Sequence, residues 1–420
     1  MTNREIEEDK QLILEQIESN KTELIKFLQE LVATPSDNPP GDCREIAKVT
    51  AEKLKFLQFR DTTLYEVPKA EVISAGMVYG ANVVAFQDFQ NKDDMEITVN
   101  SHGDVVPPGS GWSVDPYSGA IIEGKLYGRG AAVSKSDIAS YTFAVLALRK
   151  VSEKLRGKIS LAFTFDEETG GTLGPKWLLE NQYIRPDLAI CPGFSYSLIN
   201  AHNGCLHLEV KLKGKIAHAA EPQFGNDALE AMTEVLKVLY EYKDSLSNKV
   251  SLIDGIESPT LVVGLINGGI NTNVVPGECT IRLDRRLIPE EDPIEVEEKL
   301  RSLIIQAISK YSDIEVDMQQ ILLAKSFGPV DKDLSVVKAI VKNTKNLYNE
   351  DLPVHGSPLY TDARHFFEKK IPVVLYGAGP KTLVEANGHR ADEHVKIDDL
   401  MKATKVVALS LYDLLKKSES

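Results

Sequence analysis

The chain contains two kinds of β-strand, and each kind can be buried in only one way. MEITVN, KISLAFTF and PVVLYGAG read as short strands, the last of them apolar along its length. A strand of that type needs cover on both faces, as in a parallel sheet flanked by helices. CLHLEVKLKG and ECTIRLDRRL instead alternate apolar with polar residues. That is the period of an antiparallel strand with one face in a core and the other in solvent. The first kind occurs before about residue 200 and again near the C-terminus, and the second kind lies between. The reading is an α/β domain with a mixed, largely parallel sheet, split by an inserted α+β unit with its own four-stranded antiparallel sheet.

Helical spacing supports this division. Ile13, Ile17, Leu24, Phe27, Leu28 and Leu31 recur at helical intervals, and a second amphipathic helix is expected over about 43–57. An Ala- and Leu-rich helix over about 137–154 links MEITVN to KISLAFTF, a strand–crossover–strand arrangement that favours parallel pairing. In the middle block the order is strand, helix near 228–242, strand, strand, helix, strand. This β-α-β-β-α-β order suits a small unit with a four-stranded sheet. The expected boundaries are 1–201 and 321–420 for the split domain and 202–320 for the insertion.

Charge and cysteine content exclude several classes. With 48 Lys and Arg against 62 Asp and Glu, the net charge is −14. A phosphate-backbone binder needs a basic footprint, so no nucleic-acid partner is expected. The charged N-terminal sequence is unlike a signal peptide, and no apolar run approaches the ~20 residues of a membrane span. Cys43, Cys191, Cys205 and Cys279 are scattered without a CxxC pair, so reduced, buried thiols are expected. Together these features lead to the expectation of a cytoplasmic protein with no membrane partner.

Three short motifs fall at strand ends or in loops, where open α/β sheets place ligands. His102-Gly103-Asp104 follows MEITVN, Glu167-Glu168 follows KISLAFTF, and Gly388-His389 lies near the C-terminus. A His and an Asp two apart can serve as a metal ligand and the group that orients it. Of two adjacent acids at a strand end, one can bind metal while the other handles a proton. Each motif alone is commonplace; in combination they match what metal-assisted hydrolysis requires.

The chain resembles the M20 metallopeptidase family over nearly its whole length. SHGDVVPPGSGWSVDPYSG with GKLYGRG is similar to that family's first metal motif, and FTFDEETGG to its second. GKIAHAAEPQFGNDALEA, GGINTNVVPGECTIRLDRR and GHRADEHV resemble the lid histidine segment, the Asn–Val–Val–Pro turn and the final histidine motif. The resemblance implies that His102, Glu168 and His389 bind metal, Asp104 orients His102, and Glu167 is the general base. It implies an oxyanion role for His218, carried by an inserted lid across a homodimer interface. It also implies substrate contacts for Asn273 and Arg286, the latter through a carboxylate. The activity implied is hydrolysis of an amide or peptide C–N bond in a small amino-acid-derived substrate, with zinc as the expected cation and cobalt or manganese as alternatives.

Two departures modify that expectation. Val133 stands where relatives carry a metal-bridging Asp, and the segment Cys191-Pro192-Gly193 stands where they carry another acidic ligand. Without the bridging carboxylate, one tightly held ion is expected rather than two. Cys191 and Asp137 are open as replacement ligands or as ordinary buried groups. The same departures leave room for a single-metal aminohydrolase, or for a non-catalytic binding protein with a degenerate metal site. His355 and Asp362 either line the pocket or cap local structure, and His202 and His207 are read as structural.

Overall fold

MEITVN, KISLAFTF and PVVLYGAG supply inner strands of an eight-stranded sheet in the computed structural model, which describes residues 2–417. Glu96–His102 lies between Lys158–Thr164 and Leu188–Cys191 and is parallel to both. Val373–Leu375 extends the parallel run beyond Leu188–Cys191. Antiparallel strands close the sides: Ala81–Asp88 and Arg60–Glu66 on one, Leu198–His202 and then Val354–Ser357 on the other. Every residue of Glu96–His102 is buried, and its polar side chains find partners: Thr98 Oγ1 lies 2.6 Å from Ser160 Oγ, and the Asn100 amide donates to Ala162 O at 2.8 Å. Because the inner strands are parallel, their C-terminal ends share one edge of the sheet: His102 pairs with Thr164 and Leu375 with Cys191. The loops that follow therefore gather at one place.

Two helices far apart in the chain cover this sheet's core. Lys135–Ala147 is buried along nearly its whole length, and small Ser, Ala and Thr side chains let a neighbour approach closely. That neighbour is the C-terminal helix Ile397–Leu415, whose Thr404 hydroxyl donates to Ser140 Oγ at 3.0 Å. The N-terminal helix Asn3–Ser19 is tied in through Asp9, which is fully buried. Its carboxylate accepts from the Lys154 ammonium at 2.5 Å and from the Tyr412 hydroxyl at 2.9 Å.

The described residues divide into two compact units: 2–200, 330–355 and 361–417 in one, and 201–329 with 356–360 in the other. The second unit holds an antiparallel sheet in the order Thr260–Gly268, Glu278–Leu287, Gly204–Lys213, Glu315–Ala324. Helices Ala228–Leu246 and Pro293–Ile308 cover one face, their apolar stripes packed on Leu206, Leu208, Val210 and Leu212. Both helices start at an Asp, which the sequence marks clearly. Asp227 accepts from the backbone N–H groups of Leu229 and Glu230, and Asp292 from those of Ile294 and Glu295. Cys205, His207, Glu209 and Lys211 alternate with the core positions and face the other way. No helix among the described residues is long and apolar enough to cross a membrane.

This alternation has a measurable signature. Leu208→Ala removes a fully buried side chain and should cost about 3 kcal/mol in denaturant unfolding. Lys211→Ala, three residues on and on the open face, removes only a surface ion pair with Glu278 and should cost less than about 1 kcal/mol. Equal losses would mean that the strand is registered differently.

Candidate metal centre

Two parallel strand ends deliver the principal groups. Glu96–His102 ends at a buried His102, and the chain turns at Gly103, where a Cβ would lie 2.7 Å from the Phe165 ring. Only glycine fits there, and the turn brings Asp104 beneath the end of the neighbouring strand. After Lys158–Thr164 the chain makes a short helical turn, Glu167–Thr169, and leaves it through Gly170 and Gly171, both at positive φ. Asp104 is fully buried and holds that turn by its backbone. One carboxylate oxygen accepts the Glu167 N–H at 3.2 Å. The other accepts the Glu168 N–H at 3.1 Å and the Asn38 side-chain amide at 3.0 Å.

The same Asp104 orients His102. The ring's Nδ1 lies 3.1 Å from the Asp104 carbonyl oxygen and 3.4 Å from its Oδ1. Nε2 is thereby turned toward Glu167, whose Oε2 is 4.0 Å away. His102, Glu167 and Glu168 each offer one ligand atom, and these atoms lie within 4.8 Å of one another. His389, at a left-handed backbone position, brings Nε2 to 3.3 Å from Glu168 Oε1. That oxygen is buried and accepts no well-aligned hydrogen bond. Bonds of 2.0–2.1 Å to a tetrahedral zinc place neighbouring ligand atoms about 3.3 Å apart. The spacing and the unsatisfied oxygen both fit a cation held at this point.

Burial and mutual repulsion set the protonation here. Burial pushes the Glu167 carboxyl up, His102 opposes it, and the nearby Glu168 and Asp104 add to the rise. For His102 burial alone favours the neutral ring, but Glu167, Asp104 and Glu168 outweigh it and raise its pKa well above the usual value. Asp362 is also buried here, and neither of its carboxylate oxygens has a hydrogen-bond partner. It rests on Gly171, where a Cβ would fall 1.8 Å from Oδ1. Burial, followed by the charge of Glu167, raises its pKa. Asp166 is raised in the same way, by burial and then by Asp362.

The two departures have a structural explanation. The Ala132 and Val133 backbone N–H groups both donate to Glu393 Oε1 at 3.0 Å, and the other oxygen of Glu393 takes Arg129 Nη1 at 2.5 Å. The turn is thus fixed by its backbone, while the Val133 side chain has no donor atom to offer. Cys191 ends its strand fully buried, with Sγ 3.9 Å from Asn100 Oδ1, and burial keeps the thiol protonated. Asp137 accepts the Ala378 N–H at 2.7 Å and packs on Gly377, where a Cβ would fall 2.0 Å from its Oδ1. Neither Cys191 nor Asp137 belongs to a ligand group among the described residues. Asn38 and Glu393 escaped the sequence reading, which marks Asp166 only as the start of an acidic run. Asn38 sits 66 residues from Asp104, and no local pattern marks the pairing. Glu393 lies inside the GHRADEHV motif but was hidden there among other charges.

In the second unit His218 and Asn273 come together. Val275 N–H donates to Ala217 O at 2.9 Å and Ala219 N–H to Asn273 O at 3.0 Å. His218 is exposed, and its Nδ1 accepts the Ala220 N–H at 3.1 Å. Arg286 stands on Glu278–Leu287 with Nε and Nη2 at 3.0 and 3.2 Å from the Asp284 carboxylate. Its guanidinium lies 5.5 Å from the centre of the Tyr360 ring. Burial pushes the Asp284 carboxyl up, but hydrogen bonds from His207 and Arg286 prevail and hold it at about 2.

Comparison with known proteins gives consistent results. A family model described as peptidase family M20/M25/M40 matches residues 98–413. A protein named as an uncharacterized metallohydrolase of Methanocaldococcus jannaschii is 26% identical over 419 residues, covering 94% of this chain and 99% of that protein. A succinyl-diaminopimelate desuccinylase of Nautilia profundicola is 29% identical over 347 residues, covering 79% and 89% respectively. Among solved structures, an M20 family metallo-carboxypeptidase from Sulfolobus solfataricus has the same fold, with a TM-score of 0.75 at 20% identity over 94% of this chain and 100% of that one.

Asp137 supplies a pH test. Burial pushes its carboxyl up to about 7, whereas the unfolded chain releases that proton near pH 4. The native state therefore holds a proton that the unfolded state has lost, and stability falls as pH rises from about 4 to about 7. In chelator-treated protein, Asp137→Asn should show a smaller drop in Tm between pH 5 and pH 8 than the parent. An unchanged drop would mean that Asp137 is ionised in the native state.

Proposed function

This chain belongs to peptidase family M20/M25/M40, and on that footing we propose that it hydrolyses an amide bond in a small amino-acid-derived substrate. The membership makes it a metallohydrolase of C–N bonds. The observation that carries the finer reading is the group of buried His102 and half-buried Glu167 and Glu168, held in place from below by Asp104. In this reading His102, Glu168 and His389 hold one divalent cation, zinc by preference for its tolerance of mixed nitrogen and oxygen ligands. When bound, such a cation supplies Lewis acidity, which polarises the amide carbonyl and makes water more acidic.

The remaining steps fall to the chain's own side chains. Glu167 takes a proton from the attacking water and delivers it to the leaving nitrogen as the C–N bond breaks, giving a carboxylic acid and an amine. A carboxyl raised by burial and by its acidic neighbours suits both halves of that exchange. Asp104 keeps the imidazole and the acidic turn from shifting while charge builds. His218, exposed on its loop, is assigned the oxyanion, with a second copy of the chain as the acceptor of that contribution. Asn273 and Arg286 are assigned to the substrate. Asp284 occupies Nε and Nη2 of Arg286, which leaves Nη1 for a substrate carboxylate.

Two substitutions test this reading. Glu167→Gln should lower turnover of a responsive N-acyl amino acid or dipeptide by about 10²–10⁴-fold while metal content and circular dichroism stay unchanged. Activity that survives the change would remove Glu167 from the role of base. Val133→Asp restores a carboxylate where relatives have one and should raise the metal bound per chain after zinc saturation. An unchanged stoichiometry would show that something other than Val133 keeps a second ion out.

A further inference from the structure

The open face of the four-stranded sheet carries a second set of ligand-type side chains. Cys205 and His207 are two residues apart on Gly204–Lys213 and so project from one face. The antiparallel register sets Asp284 directly opposite His207, and Arg286 directly opposite Cys205. Directly paired residues share a face, so all four side chains meet there. The Cys205 sulfur, a His207 ring nitrogen and an Asp284 carboxylate oxygen lie within 4.8 Å of one another. The sulfur is 3.6 Å from Asp284 Oδ1, and His207 Nε2 is 3.2 Å from Oδ2.

These three donors differ in kind from an acidic surface cluster. A thiol, an imidazole and a carboxylate together form the ligand chemistry of zinc-class cations, whereas calcium and magnesium take oxygen alone. All three stand on paired strands with fixed spacing, so the set is organised before any ion arrives. Arg286 donates to both Asp284 oxygens and steadies the carboxylate, as groups behind metal-binding carboxylates do. We propose that Cys205, His207 and Asp284 form a site for a zinc-class cation, with water completing a tetrahedron. On binding, the thiol proton that now points toward Asp284 leaves to solvent, and the ring presents Nε2 as an unprotonated donor. The site uses no residue of the His102 group, so it does not depend on the function proposed above.

Sulfur makes the test specific. Full-length protein, stripped with chelator and kept reduced, is titrated with cobalt(II) alone. Cobalt takes zinc's place, and only a thiolate ligand gives an intense charge-transfer absorption in the near ultraviolet. That band is expected in the parent and in Glu168→Gln, which disables the other group. It should vanish in Cys205→Ser and weaken at least several-fold in His207→Gln and Asp284→Asn. Zinc stoichiometry in Cys205→Ser should fall by one per chain, with circular dichroism showing the fold intact. Cys205→Ala serves as a second variant should the serine unfold the unit. Absence of the band in the parent at saturating cobalt overturns the proposal. So does a band that survives Cys205→Ser, and its loss in Cys191→Ser instead would place the sulfur ligand on the other sheet.

Discussion

One carboxylate, that of Asp104, fixes the candidate centre. It is fully buried, and its two oxygens receive the backbone N–H groups of Glu167 and Glu168 together with the amide of Asn38. A buried charge is costly unless its lone pairs are filled. Here the donors that fill them belong to the turn that must be held still. The imidazole of His102 leans on the same residue through its Nδ1. Ring, base and ligand are therefore positioned relative to one anchor, and a shift of Asp104 would move all three.

The surroundings of that anchor are strongly acidic. Asp166, Glu167, Glu168 and Asp362 crowd the same end of the sheet, and burial with mutual repulsion raises three of them. Such a cluster stores repulsion that a cation relieves, so metal affinity and fold stability are linked. Of the positive groups nearby, Arg129 is committed to Glu393, while Arg364 donates to the Thr361 and Gly170 carbonyls. The charge of Arg364 offsets only part of the rise in Glu167 and Asp362.

Much of this was legible because strand ends announce themselves. MEITVN and KISLAFTF stop at His102 and just before Asp166-Glu167-Glu168, and a parallel pair must then bring those ends together. The alternation of CLHLEVKLKG likewise marks a strand with one face in a core, as Gly204–Lys213 has. What remained hidden was pairing at long range. Asn38 reaches Asp104 and Glu393 reaches Val133 across 66 and 260 residues, and no periodicity encodes such contacts. Asp137 was ambiguous for a related reason: a helix N-terminus explains an acid equally well whether it faces solvent or, as here, a buried backbone N–H. His207, read as structural from its strand, gains its interest only from the residue opposite it.

The parallel strand Val373–Leu375 has a consequence for synthesis. Its partner Leu188–Cys191 leaves the ribosome far earlier, and the 129 residues of 201–329 come between. At 5–20 residues per second, the interval from Cys191 to Leu375 is about 10–40 s. For that time the nascent sheet carries an unpaired, fully apolar edge, the kind of surface that seeks another chain. Residues 201–329, which hold the whole four-stranded sheet, can fold meanwhile, but the first unit cannot close until its last quarter arrives. During that wait the nascent chain is exposed to crowding by its neighbours, to slow codons in 201–329 and to a shortage of chaperones.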